Sequence, residues 1–460
     1  MPFKRKLIGI RVTHRSTEVS YIGDTMSQTV KNSFGLVRAG LFILGIFPAL
    51  VFAQTERVQT SLSEERLERL SGVLQHYVDT ERIPGAVTLV VHRGQVAYLE
   101  AFGFRDREAV VPQRTDDIFR IASQTKAIVS VAIMLLQEEG RLLISDPVGR
   151  YIPEFLETTV AVPEDRGWRP QGYEVVMADR PITIRDLLTH TSGIGYGYGV
   201  ASDRWEKAEL QGWYFAHRHE PMGETVRRMA GLPFDAHPGE AFVYGYSTDV
   251  LGAVIEVVAG VTLDEFLEER IFGPLGMLDT HFYLPEEKRD RLAVVYSLDE
   301  RGLTRAPNAG GIDDMVSQGA YVDGPRRSFS GGAGLLSTAE DYARFLRMML
   351  NGGELDGVRI LSRKTVELMT VNHVGDLRSE ELENSGVGFG LGFDVLEDLG
   401  ERGTPGSVGE FGWGGAYHSV YWVDPTEQLI VVYFTQINPA NDLDDHAKLR
   451  TLVYQAVVDN

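Results

Sequence analysis

Strand-like segments lie towards both ends of this 460-residue chain, and helical segments lie between them. The stretch GAVTLVVHRGQVAYLEAFGFRD, residues 85–106, contains two strand patterns joined at Arg93-Gly94, which is typical of a β-hairpin. The next strand patterns begin only near residue 386 and end with EQLIVVYFTQ, residues 427–436. Because a strand needs partners to satisfy its backbone, this layout predicts an α/β fold in which one sheet combines both ends of the chain.

The same layout predicts three regions. Residues 1–53 are interpreted as an upstream extension and a signal peptide. Residues 54–140 and 325–460 are predicted to form a discontinuous α/β domain with helices on the faces of its sheet. Residues 141–324 are predicted to form a mainly helical inserted domain. Pockets tend to lie where two such parts meet, so a cleft is expected between them.

The segment that follows Met26 has the features of an export signal. Lys31 and Arg38 precede the apolar stretch LFILGIFPAL, and VFA at residues 51–53 offers small residues for a signal peptidase. The sequence therefore predicts cleavage near Ala53-Gln54, a periplasmic or secreted protein, and no stable membrane insertion afterwards. The alternative is an uncleaved N-terminal anchor.

Charge and composition narrow the range of partners. The formal net charge is −20, which disfavours binding to nucleic acid or to an anionic membrane surface. The chain has no cysteine, so no disulfide supports the fold in an oxidising compartment. These observations favour a small molecule as the partner, while the oligomeric state is not indicated.

The segment IASQTKAIVS, residues 121–130, opens a predicted helix over 122–139. Ser123 and Lys126 are three residues apart, so their side chains share one face of that helix. The serine hydroxyl is a candidate nucleophile, and a lysine that burial keeps neutral is a candidate base. Alternatively, Ser123 caps a structural helix and Lys126 is solvated; the motif by itself does not exclude this.

Two further segments offer matching chemistry. Tyr244 precedes a predicted helix and is a candidate for proton relay, although Tyr246 competes for that role and either could be a core aromatic. Glycines within a strand permit close approach to the backbone, so Trp413-Gly414-Gly415 is a candidate substrate-binding strand. The N–H of Ala416 could then join that of Ser123 in an oxyanion hole. The alternative is a bulge or tight turn.

In this order and spacing, the three elements resemble the serine β-lactamase and penicillin-binding protein superfamily. Supporting stretches are ITIRDLLTHTSGIG, IFGPLGMLDTHF and GGAGLLSTAEDYARFLRMMLNGG. The resemblance spans nearly all of the chain after the signal, and it is strongest for class C β-lactamases and the related family VIII carboxylesterases. It implies an antiparallel sheet flanked by helices, with Ser123 as the acylated nucleophile, Lys126 as its base, Tyr244 as the tyrosine of the Y-x-N motif, and Ser123 and Ala416 as oxyanion donors.

Two departures from the superfamily motifs bear on the substrate. Trp413, Gly414 and Gly415 stand where the superfamily has K-T-G, so the cation that grips a carboxylate is missing. Tyr246 stands where Y-x-N has its amide. Both changes remove polar recognition, which favours neutral esters and a carboxylesterase. The alternatives are a β-lactamase, a D-Ala-D-Ala carboxypeptidase or D-aminopeptidase of the same fold, and a non-catalytic binding or sensor module.

Other chemistries have weaker support in the sequence. A G-x-S-x-G elbow is absent from residues 54–460, which disfavours a Ser-His-Asp hydrolase of the α/β type. His217, His219 and Glu220 in AHRHE suggest a metal site, but a surface cluster explains them better because the sequence places no further ligand beside them. We therefore expect no cofactor and no metal. The aromatic residues at 196–215 are expected to line an acyl or alcohol pocket, and His418 has a possible substrate-side position.

Overall fold

The structure, a computed structural model, describes residues 62–164, 172–308, 314–377 and 385–458, so the predicted signal peptide lies outside the described residues. Their α-helices are α1 Glu64–Asp79, α2 Thr125–Glu138, α3 Ile184–Leu188, α4 Ser202–Lys207, α5 Met222–Ala230, α6 Ser247–Ala259, α7 Leu263–Leu267, α8 Gly273–Leu275, α9 Ala339–Leu350, α10 Arg363–Met369, α11 Leu399–Arg402 and α12 Asp445–Tyr454.

Their strands are β1 Gly85–His92, β2 Gln95–Asp106, β3 Val111–Pro112, β4 Phe119–Arg120, β5 Thr159–Pro163, β6 Tyr173–Met177, β7 Tyr296–Asp299, β8 Gly302–Arg305, β9 Leu336–Ser337, β10 Glu354–Leu355, β11 Val358–Arg359, β12 Val387–Phe389, β13 Asp394–Leu396, β14 Phe411–Gly415, β15 Ser419–Asp424, β16 Leu429–Phe434 and β17 Ile437–Ala440.

The main sheet joins the two ends of the chain, as the sequence predicts. Its strand order is β12-β13-β14-β15-β16-β1-β2-β3, and every neighbouring pair is antiparallel. The junction is the pairing of β1 with β16, in which Val87 lies opposite Phe434 and His92 opposite Leu429. The predicted α/β class with an antiparallel sheet flanked by helices is therefore confirmed.

Strand β1 is buried along its whole length because both faces of the sheet are covered. Val87 and Leu89 point into an apolar cluster that includes much of α2 and α9. Ala86 and Val90 point the opposite way, into a second cluster with residues of α1 and α12. The two-residue period of a strand thus explains how one segment serves two cores.

The β1–β2 connection agrees with the sequence-based prediction. Arg93 and Gly94 both have positive φ, 49° and 75°, as a two-residue type I′ turn requires. Gly94 adopts this conformation without strain because it lacks a Cβ. The turn places β2 beside β1 with Gly85 opposite Gly103.

The predicted helix over 122–139 differs from the structure at its start. Residues Ala122–Gln124 form a 3₁₀ turn, and α2 begins at Thr125. The tighter turn arises where Ala122 takes a positive φ of 42°, a conformation that costs a non-glycine residue free energy. The strand pattern at 386–397 is also interrupted, since it forms β12 and β13 around Gly392 at φ 95°.

The segment 141–324 holds α3 to α8 together with the β5–β6 and β7–β8 hairpins. Strand β7 also pairs in parallel with β17 from the C-terminal part of the chain. The division at residues 140 and 325 remains a prediction. None of the helices in the described ranges is long and apolar enough to cross a membrane.

Burial on both faces of the sheet predicts a position-dependent loss of stability. Ile430 in β16 is fully buried, and Ile430→Ala is expected to lower the free energy of unfolding by about 2–5 kcal/mol because it leaves a cavity. Val96 in β2 is 53 % exposed, so Val96→Ala serves as a matched control with a loss of about 0.5 kcal/mol. Urea unfolding measures both changes, and equal losses would contradict the packing described above.

Candidate active site

Ser123 lies in the 3₁₀ turn that leads into α2, and it lines a cavity. Ile121 anchors the turn from below by donating its N–H to the carbonyl of Leu335 at 3.1 Å. Gln124 is fully buried and donates to Ser419 Oγ at 3.1 Å. Because Ile121 and Gln124 are both buried and hydrogen-bonded, the backbone on either side of Ser123 is held in place, which favours a fixed position for its hydroxyl.

Lys126, one helical turn later, is the buried centre of the site, with only 2 % of its surface exposed. Its Nζ donates to Ser123 Oγ at 3.1 Å, to Tyr196 Oη at 3.1 Å and to the carbonyl oxygen of Gly332 at 2.7 Å. An ammonium group has three N–H donors, so all three are satisfied. Nζ also lies 4.7 Å from the centroid of the Tyr244 ring, within the range of a cation–π contact.

The charge state of Lys126 differs from the sequence-based expectation. Burial lowers the pKa of Lys126, as expected from its apolar neighbours, but electrostatic interactions with Tyr196, Tyr244 and Asp249 outweigh burial and raise the pKa above its usual value. The expectation of a depressed pKa is therefore wrong. The residues next to Lys126 in sequence are apolar, whereas the groups next to it in space are phenols and a carboxyl group, and the latter determine the direction of its pKa.

Asp249 in α6 supports this arrangement from behind. It is 1 % exposed and accepts hydrogen bonds from Ser330 Oγ at 2.6 Å and from the Gly332 N–H at 3.0 Å. Burial raises the pKa of Asp249, while these hydrogen bonds and the nearby Lys126 oppose that rise. A Cβ on Gly332 would lie 2.3 Å from the Asp249 carboxylate, so only glycine lets this carbonyl reach the lysine.

Tyr244 meets the strand that carries the W-G-G triplet. The indole Nε1–H of Trp413 donates to Tyr244 Oη at 2.9 Å, and the two rings lie 5.4 Å apart. His190 packs against the other side of Tyr244 at 4.6 Å between ring centroids. Burial lowers the pKa of His190 well below its usual value, and Lys126 adds to this effect, so the imidazole is neutral at neutral pH.

The end of β14 brings Ala416 to the serine. A Cβ on Gly415 would lie 2.6 Å from the carbonyl oxygen of Ile121, so glycine permits this close approach. Ala416 follows in an exposed turn and lines the same cavity as Ser123. In the described part of the chain, the turn and loop hydrogen bonds use neither the Ser123 N–H nor the Ala416 N–H. Both donors are available to a substrate oxygen, as an oxyanion hole requires.

A cavity of about 700 Å³ is lined by all the predicted site residues except Lys126 and Tyr246. Its walls include Ser123, Tyr196, Trp213, Tyr244, Trp413, Gly414, Gly415, Ala416 and His418. Tyr246 lies outside the wall: it is fully buried, and its hydroxyl donates to the carbonyls of Leu210 and Gly212. The prediction that Tyr246 binds substrate is therefore corrected, since its ring instead packs edge-to-face behind Tyr196 at 5.1 Å.

Sequence reasoning missed the roles of Tyr196 and Asp249. Tyr196 was expected only as a pocket-wall aromatic, yet its hydroxyl contacts Lys126 directly. Burial raises the pKa of the Tyr196 hydroxyl, although the neighbouring Lys126 opposes that rise. The glycines on either side of it, in GIGYGYG, were the available signal, because such a loop can bring a tyrosine close to other backbone segments.

Comparison with known proteins agrees with this geometry. Residues 70–455 match the protein family described as Beta-lactamase. Esterase EstB of Burkholderia gladioli is 33 % identical over 380 residues, covering 80 % of this chain and 89 % of EstB. Lovastatin esterase of Penicillium rubens is 30 % identical over 383 residues, covering 77 % of this chain and 89 % of that protein.

The solved structures include a similar fold. EstCE1, described as a hydrolase with promiscuous acyltransferase activity, superposes with a TM-score of 0.69 at 29 % identity. The likeness covers 85 % of this chain and 98 % of EstCE1. The family match extends over most of the chain and includes every residue of the site. The chain therefore belongs to the beta-lactamase family, as a serine hydrolase related to its family VIII carboxylesterases.

Proposed function

We propose that this protein is a carboxylesterase that acts on small or medium-sized neutral esters through an acyl-enzyme. The observation that carries the proposal is the hydrogen bond from Trp413 Nε1 to Tyr244 Oη at 2.9 Å. It fills the position of the superfamily's lysine with a neutral aromatic donor. A substrate carboxylate would find no cation on this strand, whereas a neutral ester can pack against the indole ring.

The surroundings of the cavity support the same substrate class. Tyr196, Trp213, Tyr244 and Trp413 provide aromatic surface around the serine. The ammonium of Lys126 donates its three hydrogen bonds to acceptors inside the protein, so it has no further N–H with which to bind a ligand. Two relatives named as esterases share this family, which adds support from comparison.

In the proposed reaction Ser123 Oγ attacks the ester carbonyl carbon. Its proton passes 3.1 Å to Lys126 Nζ after the Lys126–Tyr196 pair has lost one proton. The N–H groups of Ser123 and Ala416 hold the oxyanion. The bond to the alcohol oxygen then breaks, and the leaving alkoxide takes a proton relayed by Tyr244. Water attacks the acyl-enzyme by the reverse route and releases the acid.

The proposal includes export of the protein. The signal-like segment and the cleavage site near Ala53-Gln54 support a periplasmic or secreted enzyme. The absence of cysteine is compatible with either compartment. Esters dissolved outside the cytoplasm would then be the substrates.

The nucleophile assignment predicts loss of turnover in Ser123→Ala. We expect kcat for a chromogenic ester to fall by about 10⁴-fold or more, because no other group replaces the attacking hydroxyl. Ser71→Ala on α1 is the matched control and should retain activity, since Ser71 bonds only to Tyr98 and Glu100. A burst of one equivalent without turnover in the wild type would instead support the binding-module alternative.

The raised pKa of Lys126 predicts that kcat/KM increases with pH into the alkaline range, because the amine must lose its proton to act as a base. The hydroxyl of Tyr196, which accepts a hydrogen bond from Lys126, helps to raise that pKa, so removing the hydroxyl lowers the pKa of Lys126. In Tyr196→Phe the rising limb should move down by about one pH unit, whatever the height of the profile. A limb that stays in place or moves up would contradict this electrostatic assignment.

The proposed role of Trp413 predicts that two substitutions differ in their effect on the KM for a β-lactam. Trp413→Lys should lower KM for a carboxylate-bearing β-lactam by about tenfold, because a charge-assisted contact becomes available. Trp413→Phe is the matched control: it removes the hydrogen bond to Tyr244 and should slow ester hydrolysis without that gain. Side-by-side kinetics with a neutral ester and nitrocefin measure both. An unchanged KM in Trp413→Lys would show that position 413 is not the carboxylate site.

A further inference from the structure

Three potential metal ligands meet at one side of the catalytic cavity. His418 lies in the β14–β15 turn, while Asp445 and His446 occupy the first turn of α12. Their ligand atoms all lie within 4.8 Å of one another, and they form the one such group of three among the described residues. We propose that these three side chains bind a divalent transition-metal ion of the zinc class.

The histidines are already held close together by tertiary structure. Their rings stack with centroids 4.0 Å apart and planes 16° apart. His446 Nε2 lies 3.3 Å from the carbonyl oxygen of His418. His418 also has a positive φ of 60°, a conformation that a non-glycine residue adopts at a cost. The turn therefore directs this imidazole towards α12 rather than into open solvent.

Asp445 supplies the charge that a cation needs. Asp445 is fully buried. Its Oδ1 lies 2.7 Å from His418 Nε2, and its Oδ2 accepts a hydrogen bond from Tyr433 Oη at 2.8 Å. The tyrosine fixes the carboxylate from behind, which is the usual support for a metal ligand. The site thus has an oriented anion with one oxygen facing an imidazole.

The donor set selects the type of ion. Two imidazoles and one carboxylate suit Zn²⁺, Co²⁺ or Ni²⁺, whereas Mg²⁺ and Ca²⁺ prefer oxygen ligands alone. With bonds of about 2.0–2.1 Å, tetrahedral ligand atoms lie roughly 3.3 Å apart. Binding therefore requires His418 Nε2 and Asp445 Oδ1 to separate by about half an ångström. It also requires the His446 ring to turn out of the stack.

The position of the site gives an ion a path of entry from the catalytic cavity. His418 and His446 line the same cavity as Ser123, so an ion can enter from the catalytic cleft and keep water on its free positions. His418 is two residues after Ala416, whose N–H belongs to the proposed oxyanion hole. A bound ion would tie this turn to α12 and stabilise the folded chain.

The histidine pair that the sequence first suggested behaves differently. His217, His219 and Glu220 do not form a three-ligand group among the described residues, and the His217 ring instead stacks on Tyr214 at 5.1 Å. His219 is exposed. It therefore provides a matched control for histidine-dependent but non-specific metal binding.

Equilibrium dialysis of the full chain, with any affinity tag removed, tests the proposal with Zn²⁺ as the probe. We expect one ion per chain in the wild type and in His219→Asn. His446→Phe keeps an aromatic ring on the stack but removes a ligand, and it should weaken binding by at least about tenfold. Asp445→Asn keeps the shape of the carboxylate, removes its charge and should do the same.

Two readouts separate lost binding from lost folding. Zn²⁺ should raise the melting temperature of the wild type and of His219→Asn, but not that of His446→Phe. Co²⁺ should give a visible ligand-field spectrum in the wild type that disappears in either site variant. The proposal is overturned if the wild type binds less than one ion per chain at 100-fold excess over protein, or if folded His446→Phe or Asp445→Asn binds as tightly as wild type. If neither variant folds, a wild-type Co²⁺ spectrum lacking nitrogen ligation overturns it.

Discussion

The three hydrogen bonds of Lys126 are the interaction on which the rest of the site depends. A buried ammonium is costly unless every donor has an acceptor and a counter-charge is near. Ser123, Tyr196 and Gly332 supply the acceptors, and Asp249 supplies the charge through the loop that it anchors. Ser123, Lys126 and the supporting loop are thus one electrostatic unit rather than independent residues.

Glycine and aromatic residues shape the cleft around this unit. Gly332 and Gly415 permit close contacts that a side chain would block. A Cβ on Gly332 would lie 2.3 Å from the Asp249 carboxylate, and a Cβ on Gly415 would lie 2.6 Å from the carbonyl oxygen of Ile121. Trp413 and Tyr244 line the same cavity as the serine and form a hydrogen-bonded aromatic pair. Arg402 and Arg450 also line the cavity, but the W-G-G strand beside the serine carries no cation. This part of the cleft therefore favours recognition of an ester by its shape and polarity, in agreement with the proposed substrate class.

Much of the fold was predictable because it follows local rules. The two strand patterns joined at Arg93-Gly94 identified β1 and β2, and the positive φ of these two residues explains why their connection was visible as a turn. The pairing of Ser123 with Lys126 followed from helical spacing. Tyr246 shows the limit of such rules. It was chosen because it matches a motif position, but its hydroxyl is satisfied by the carbonyls of Leu210 and Gly212.

By itself the sequence determined the order of strand and helical segments, the pairing of Ser123 with Lys126 as candidate nucleophile and base, and the presence of tryptophan at position 413. Only tertiary structure decided which groups surround Lys126, since Tyr196 is 70 residues away and Gly332 is 206 residues away. It also decided the direction of the lysine's pKa. The physical reason is that desolvation and charge act through space, so groups distant in sequence set the protonation state of a residue whose sequence neighbours are apolar.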